Sequence, residues 1–307
     1  MKNPEISVCI PCFNAENYIS QVVASLESQS FERFSVTFVD DCSTDNTVAL
    51  LTERLRDSPL SWDIQVRDFN SGGMGLSVQN AMASCKLPYF TWFGIDDELD
   101  PNYLQELHST LDNDPEIDYA YCDFAIIDSA SRVTGRWSWK PISYRDLTNH
   151  VARTTSGVFP MNGLFRMKFI RDRNLRFELP KGESFSSDTV NAINFLSAGM
   201  AYTCIQKPLF RYRKHPDQLS SNALLRVLSD IRVLEYIYLE HSKVLDIRGL
   251  RVVESFDAAV ERSRRSNLSR FPKWSSEIKA FCSTPLYAKS VLESRSAIQN
   301  RHRDYVK

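Results

Sequence analysis

No run of 18 apolar residues occurs in the chain, so no membrane-spanning helix is expected. The opening MKNPEISVCI lacks the apolar stretch of a secretory signal, and the expectation is a protein made and kept in the cytoplasm. Net charge is almost absent, at -1, which gives no reason to expect nucleic acid as a partner. A disulfide framework is missing too: the seven cysteines are odd in number and irregular in spacing, which fits a reducing compartment. Cys9 and Cys12 form a C-x-x-C, but no second pair or nearby histidine completes a zinc site. Cys9 lies inside a strand pattern rather than opening a helix, so a redox role is not read there either. Finally, the loop after the first strand reads Pro11-Cys12-Phe13-Asn14-Ala15-Glu16, not Gly-x-Gly-x-x-Gly, which removes a nicotinamide oxidoreductase. It is neither glycine-rich nor basic, which disfavours a nucleotidyltransferase that makes sugar-nucleotides.

What is present is an ordinary globular composition, 43% hydrophobic and 24% charged, in 307 residues that allow one large domain or two modest ones. There is no internal repeat and no low-complexity segment. Near-neutrality hides an asymmetry. From Arg248 to Lys307 there are 13 Lys/Arg against 6 Asp/Glu, a net of +7, on a body of net -8. Such a tail is either a solvated helical face or a contact for an anionic membrane surface.

Ile6–Pro11 is a short β-branched apolar run of the kind found in buried parallel strands. Asn14 is placed to cap a helix through Ile19, Val22, Val23 and Leu26. Phe34–Val39 is a second strand, ended by Asp40-Asp41, with Ser43 or Thr44 as cap of a helix through Leu50, Leu51 and Leu55. Ile64–Val66 lies in a third strand, followed by the loop Asn70–Gly75 and a helix through Val78 and Met82. Tyr89–Ile95 is a fourth strand ending in Asp96-Asp97-Glu98, and Pro101 suits the first turn of a helix carrying Leu104, Leu107 and Leu111. Beyond it, Tyr119–Ile127 alternates like a strand with one wet face, and Arg132–Asn149 reads as a long loop. Ser187–Ala198 reads as a helix, Met200–Gln206 and Leu209–Arg213 as two strands meeting at Lys207-Pro208, and the chain from Leu224 onward as helical.

Four β-α repeats predict an open, mostly parallel sheet flanked by helices, with a C-terminal helical extension. Such sheets bind ligands at the carboxyl ends of their strands, and the polar motifs fall there. A nucleotide-sugar presents a diphosphate leaving group whose charge Mn²⁺ or Mg²⁺ stabilises, and these hard cations take carboxylate oxygens. Asp96-Asp97, on a strand end, meets that need.

The run ISVCIPCFNAENYISQVVASLESQSFERFSVTFVDDCSTDNT resembles the opening of the family-2 glycosyltransferases, inverting enzymes of the GT-A fold. YFTWFGIDDELDPNYL resembles their Asp-containing metal motif, and the match extends from about Ile6 to Ser220. The resemblance implies that Pro11, Phe13 and Glu16 border the nucleotide, that Asp41 contacts the base, that Asp96 approaches the ribose or metal, and that Asp97 approaches the metal. Asn14, Asn70 and Gln79 complete the candidate nucleotide loops. Pro11 and Phe13 also have a plain reading as strand terminator and core aromatic, and one of Asp40 and Asp41 as a helix cap. Two positions depart from the family pattern: Gly94 stands where an Asp is usual, and Gln79 where an Arg is usual.

The family places its general base at the start of a later helix, where this chain has Asp188, with Glu183 in reserve. PLFRYRKHPDQLS resembles the family's closing motif. Its Arg211, Arg213 and His215 alternate and so share a strand face, toward the diphosphate or, for His215, the metal. The expected organisation is a catalytic domain over 1–220 and a helical region over 221–307, associated with the acceptor or membrane. The expected activity is inverting transfer of a hexosyl or N-acetylhexosaminyl group, most simply from a UDP-sugar, to a hydroxyl of a glycan or lipid-linked glycan, as in surface-polysaccharide or lipopolysaccharide assembly. A degenerate, non-catalytic module that holds a nucleotide-sugar is the alternative.

Overall fold

A computed structural model describes residues 3–154, 159–179 and 187–216, with 218, 229, 233, 236–237 and 240–244. The contacts divide the chain into two units, Met1–Pro141 with Phe159–Pro216, and Ile142–Val158 with Asp217–Lys307.

In the first unit the described strands are β1 (Ile6–Cys12), β2 (Phe34–Asp40), β3 (Ser61–Val66), β4 (Tyr89–Trp92), β5 (Glu98–Leu99), β6 (Tyr119–Ile127), β7 (Val133–Trp137), β8 (Leu164–Arg166) and β9 (Tyr202–Arg213). They form one sheet in the order β3-β2-β1-β4-β8-β6-β9-β5, with β7 paired to β6. The β3-β2-β1-β4 half is parallel, β6 and β9 are parallel, and β8, β5 and β7 add antiparallel contacts. The helices between strands are α1 (Ile19–Glu27), α2 (Thr47–Leu55), α3 (Gly75–Ser84) and α4 (Tyr103–Asn113), then α6 (Met167–Asp172) and α7 (Ser187–Ser197); α5 (Tyr144–Thr154) belongs to the second unit.

Strand alternation sorts the helices. Ile6, Val8 and Ile10 of β1 and Phe34, Val36 and Phe38 of β2 form one core with Ile19, Val22 and Val23 of α1, Leu51 and Leu55 of α2, and Leu104, Leu107 and Leu111 of α4. Cys9 points the other way, toward α3, where its thiol lies 3.9 Å from the Ser77 carbonyl. The expected doubly covered sheet is therefore present.

Several expectations are corrected. Asn14 does not cap α1, which begins after Tyr18. Instead Asn14 takes a left-handed turn (φ 47°) and its Oδ1 accepts the Thr44 N–H at 2.8 Å. Neither Ser43 nor Thr44 caps α2; the Asp45 carboxylate accepts the Thr47 N–H at 2.9 Å. β6 has no wet face along its first five residues, whose side chains are buried on both faces of the sheet. The stretch read as a loop contains β7 and the start of α5. A tight turn starts β7: Asp128 Oδ1 accepts the N–H groups of Ala130 and Arg132 at 2.9 and 3.0 Å, and Ser131 takes φ 61°. The two strands expected around Lys207-Pro208 are one strand, whose pairing with β6 shifts register between Cys122 and Phe124. Proline lacks the N–H a ladder needs, so the irregularity sits where the sequence pointed without ending the strand.

In the second unit, α5 buries Leu147 and Val151, four residues apart on one helix face. Tyr144 Oη lies 2.8 Å from His241 Nδ1, and Asn149 Nδ2 donates to the Val244 carbonyl at 3.1 Å. The expected helical region beyond Leu224 falls almost wholly outside the described residues. Among the described residues no helix is long and apolar enough to cross a membrane.

Candidate active site

The first wall is built at the ends of β1 and β2. Asp40 is fully buried, and its carboxylate accepts the Ser43 hydroxyl and, at 2.9 Å, the Ser43 N–H; it holds the loop. Asp41 is 4% exposed. Its Oδ2 accepts the Ser71 N–H at 2.8 Å and the Ser71 hydroxyl at 3.0 Å. Its Oδ1 stands 3.8 Å from Arg67 Nε and, among the described residues, accepts no hydrogen bond. A buried carboxylate oxygen without a donor is costly, and a ligand N–H would satisfy it.

Around it, Pro11 is buried and faces Val39 across the β1–β2 pair, while Phe13 is 47% exposed at the strand end and so is not the core aromatic of its plain reading. The Glu16 carboxylate accepts the Asn46 backbone and side-chain N–H groups at 3.2 and 3.0 Å. Asn70 Oδ1 accepts the N–H of Gly72, whose φ of 80° lets the loop turn. Gln79 Nε2 donates to the Phe177 carbonyl at 2.7 Å, so its amide braces the segment before α7.

The second wall is the turn after β4. Asp97 N–H donates to the Gly94 carbonyl at 3.1 Å, and the next two residues, β5, pair with β9 so that Glu98 faces Arg211. Asp96 Oδ2 lies 3.1 Å from His215 Nε2, bringing two candidate metal ligands together. Asp97 is 7% exposed, and its Oδ1 accepts the Arg213 N–H at 2.9 Å. Burial drives the Asp97 carboxyl well above the ordinary carboxylate range and the Asp96 charge pushes it further, while Arg213 pulls partly back. A cation beside this pair would reverse that balance.

Arg213 is 0% exposed and works inside the protein. Its Nε donates to the Asp96 carbonyl at 2.7 Å, Nη1 to the Asp128 carbonyl at 2.6 Å, and Nη2 to Ser131 Oγ at 3.1 Å and to the Glu98 carboxylate. Arg211 is half-buried, its guanidinium 4.0 Å from Glu98 and 3.7 Å from Asp100. The shared face of Arg211, Arg213 and His215 is present, but it meets the acidic turn. Glu98 and Ser131 are partners of Arg213 that the sequence reading missed. Glu98 had a signal, its place directly after the acidic pair; Ser131, brought in by the β6–β7 hairpin, had none.

Asp188 opens α7 and is exposed. Asn191 ties α7 to residue 178: its Oδ1 accepts the Glu178 N–H at 2.6 Å and its Nδ2 donates to the Glu178 carbonyl at 2.9 Å. Phe177 packs edge-on to Trp92 of β4, so the helix bearing Asp188 is referenced to the strand bearing the acidic turn. Glu183 lies outside the described residues.

A divalent cation, implied by the fold family, fits this donor set. One carboxylate and one imidazole converge beside the buried Asp97 carboxyl. Among the described residues no three His, Cys, Asp or Glu groups meet in a metal-ligand cluster.

The solved structure of Staphylococcus aureus TarS 1-349 in complex with UDP-GlcNAc superposes with a TM-score of 0.59 at 19% identity, over 98% of this chain and 92% of that one. A mannosyltransferase from Pyrobaculum calidifontis in complex with GDP-Man and Mn²⁺ gives 0.52 at 13% identity, over 96% and 88%. These likenesses show the GT-A fold. In sequence, an uncharacterized glycosyltransferase of Rickettsia typhi is 28% identical over 42% of this chain, and S. aureus TarS, a poly(ribitol-phosphate) β-N-acetylglucosaminyltransferase, is 31% identical over 35%. The matched stretches span 39% and 19% of those relatives' own lengths. The family model for glycosyl transferase family 2 matches residues 7–173, more than half of the chain. With the sheet, the two acidic strand ends and this match in agreement, the chain belongs to glycosyl transferase family 2.

Proposed function

We propose that the chain transfers a sugar, with inversion, from a UDP-sugar to a hydroxyl of a glycan or lipid-linked glycan acceptor. The observation that carries this reading is the convergence of Asp96 and His215 at 3.1 Å on a turn that buries a charge-starved Asp97. The nucleoside diphosphates in the TarS and P. calidifontis complexes support it by likeness.

Asp41 offers its open oxygen to a base N–H, while Pro11, Phe13, Asn14, Glu16 and Asn70 shape the loops beside it. Asp96 and His215 are the cation ligands; Asp97 adds negative charge, and Arg213 fixes the turn rather than touching phosphate. Bound there, Mn²⁺ or Mg²⁺ supplies charge stabilisation for the departing diphosphate. Asp188 takes the acceptor proton as the acceptor oxygen bonds to the anomeric carbon, and the electron pair of the breaking carbon–oxygen bond leaves on the diphosphate. We further propose that residues 1–220 form the catalytic domain. The basic stretch Arg248–Lys307 would bring it to an anionic membrane surface, a role lost if deleting that stretch leaves liposome binding unchanged.

Mass-spectrometric screening of a nucleotide-sugar panel with Mn²⁺ tests the activity. Turnover of a UDP-sugar, abolished in Asp97→Ala and in Asp188→Ala, is expected. Wild-type turnover in both variants would refute the site. Nucleotide binding without turnover of any donor would favour the non-catalytic module.

A further inference from the structure

Two tryptophans at the end of β7 have no part in the chemistry above. Trp137 is 52% exposed and faces Phe124 across the β6–β7 pair, and Phe124 in turn faces Phe210 across β6–β9. Cross-strand partners share one face of a sheet, so an aromatic row runs from the buried Phe210 through the half-buried Phe124 to Trp137 at the surface. The half-buried Trp139 completes the patch, its ring centroid 5.2 Å from Phe124, edge-on, and 5.9 Å from Trp137. Its backbone N–H donates to Oδ1 of the buried Asp123 at 3.0 Å, which fixes the chain as it leaves β7. Tyr212, next to Arg213 on β9, stacks beside Phe124 at 6.4 Å and carries the row toward the acidic turn. The hairpin itself is tied to that turn, because Arg213 donates to the Asp128 carbonyl and to Ser131, and Ser131 donates to Glu98. From Val133 to Trp137 the strand spans about 13 Å, a length that an extended oligosaccharide covers and a single sugar does not.

We propose that Phe124, Trp137 and Trp139 form a subsite for a pyranose ring of the acceptor glycan, placed away from the reacting hydroxyl. The inference rests on the reading that the chain transfers a sugar to a glycan. The surroundings of the rings favour this occupant. Val133 and Trp137 are the exposed large apolar side chains of the hairpin, and Arg132, Thr134, Arg136, Ser138 and Lys140 around them are exposed and polar. A stable protein partner needs roughly 800 Å² of surface on each side with a packed apolar centre, which two such side chains do not supply. A bilayer would meet the tip of the hairpin first, and that tip carries Asp128, Ser129, Ser131 and Arg132. A sugar ring matches both features: its C–H face covers an indole, and its hydroxyls turn to the polar rim. Because Trp139 and Phe124 are held by packing, the platform is formed before the glycan arrives.

An array of immobilised mono- to hexasaccharides, probed with wild type, Trp137→Ala and Trp137→Phe, tests this, with calorimetric UDP titration and melting temperatures alongside. The wild type is expected to retain oligosaccharides longer than a disaccharide and to release the matching monosaccharides. Trp137→Ala should weaken that retention by about tenfold, the upper worth of one aromatic contact. Trp137→Phe should keep part of it, and UDP affinity and melting temperature should stay at wild-type values in both. Unchanged retention in Trp137→Ala, or no saccharide retained by the wild type, overturns the inference and leaves the donor site standing. A wild type that fails to bind UDP overturns the donor-site reading instead. Lost UDP binding or a lowered melting temperature in both variants also overturns the inference, because the ring is then packing. So does wild-type binding to phosphatidylglycerol vesicles that Trp137→Ala loses while its saccharide retention is unchanged, which assigns the patch to the membrane.

Discussion

Removing the Glu98 carboxylate while leaving Arg213 in place strands a cation inside the protein. Arg213 is 0% exposed and the Glu98 side chain 10% exposed, so the pair is largely shielded from water. Breaking a buried pair by deleting one partner costs roughly 3–5 kcal/mol. The lower end applies here, because the guanidinium keeps the Asp96 and Asp128 carbonyls and the Ser131 hydroxyl. About 3 kcal/mol in a domain of this size lowers the melting temperature by about 6–12 °C. Scanning calorimetry of Glu98→Ala at neutral pH reads it. Adding Arg213→Met removes the stranded charge, so the double variant is expected to recover part of the loss, since the two residues share one network. Glu98→Ala melting within about 1 °C of wild type would refute the view that this pair holds the acidic turn. So would a double variant that is simply the sum of its parts.

Three further outcomes follow from other parts of the molecule. Asp41→Ala is expected to weaken UDP about 10–100-fold by calorimetry, the worth of one hydrogen bond to a charged acceptor. UDP methylated at base N3 should lose as much on the wild type and nothing more on the variant; equal binding of both nucleotides by wild type would remove the base contact. Burial pushes the Cys9 thiol up to about 12, with Arg67 pulling weakly back, and the Cys122 thiol likewise to about 12. At about pH 8 only about one in ten thousand of either is thiolate, so a thiol reagent should spare both until the protein is denatured; prompt native labelling of Cys9 would contradict the buried strand. Burial also holds His241 below its ordinary value, partly offset by Glu240. The unfolded chain then takes up a proton the folded one refuses, so this contribution is full above the unfolded value of 6.5 and fades as pH falls through the window below it. Denaturant unfolding should show a stability loss on acidification from about pH 7 to about pH 5 that His241→Gln reduces; identical profiles would refute it.

The strands at the middle of the parallel half were legible because burial on both faces leaves a continuous apolar run, as in Ile6–Cys12. The short pieces β5, β7 and β8 were not. β7, VTGRW, has a mostly exposed pattern with no period to detect, and its strand character comes from pairing with β6. Helix starts were placed early for a related reason. Asn14, Ser43 and Thr44 are good caps by type, yet here they bond one another across two loops, a tertiary use that local propensity cannot reveal. At the site, Asp41, Asp96 and Asp97 stood out because they directly follow apolar strands, and His215 because it stands in the run that resembles the family's closing motif. The route by which Arg213 reaches them was hidden, since it depends on the short pairing of β5 with β9.

That hidden pairing changes what the cationic strand is for. Arginines alternating at the end of a strand invite the reading that they meet phosphate, yet three acids in succession, Asp96, Asp97 and Glu98, cannot be packed on a turn at low exposure without internal compensation. Arg213 supplies it through the Glu98 carboxylate, the Asp96 carbonyl and, by its own backbone N–H, the Asp97 carboxylate, and Arg211 adds a longer contact at the rim. One buried guanidinium does not balance three carboxylates, and burial, with the Asp96 charge behind it, raises the Asp97 carboxyl above its ordinary range. The turn is thus held in shape by Arg213 while remaining short of positive charge, the condition under which an incoming cation gains most from binding. Full neutralisation by protein arginines would have left an incoming cation less to gain there.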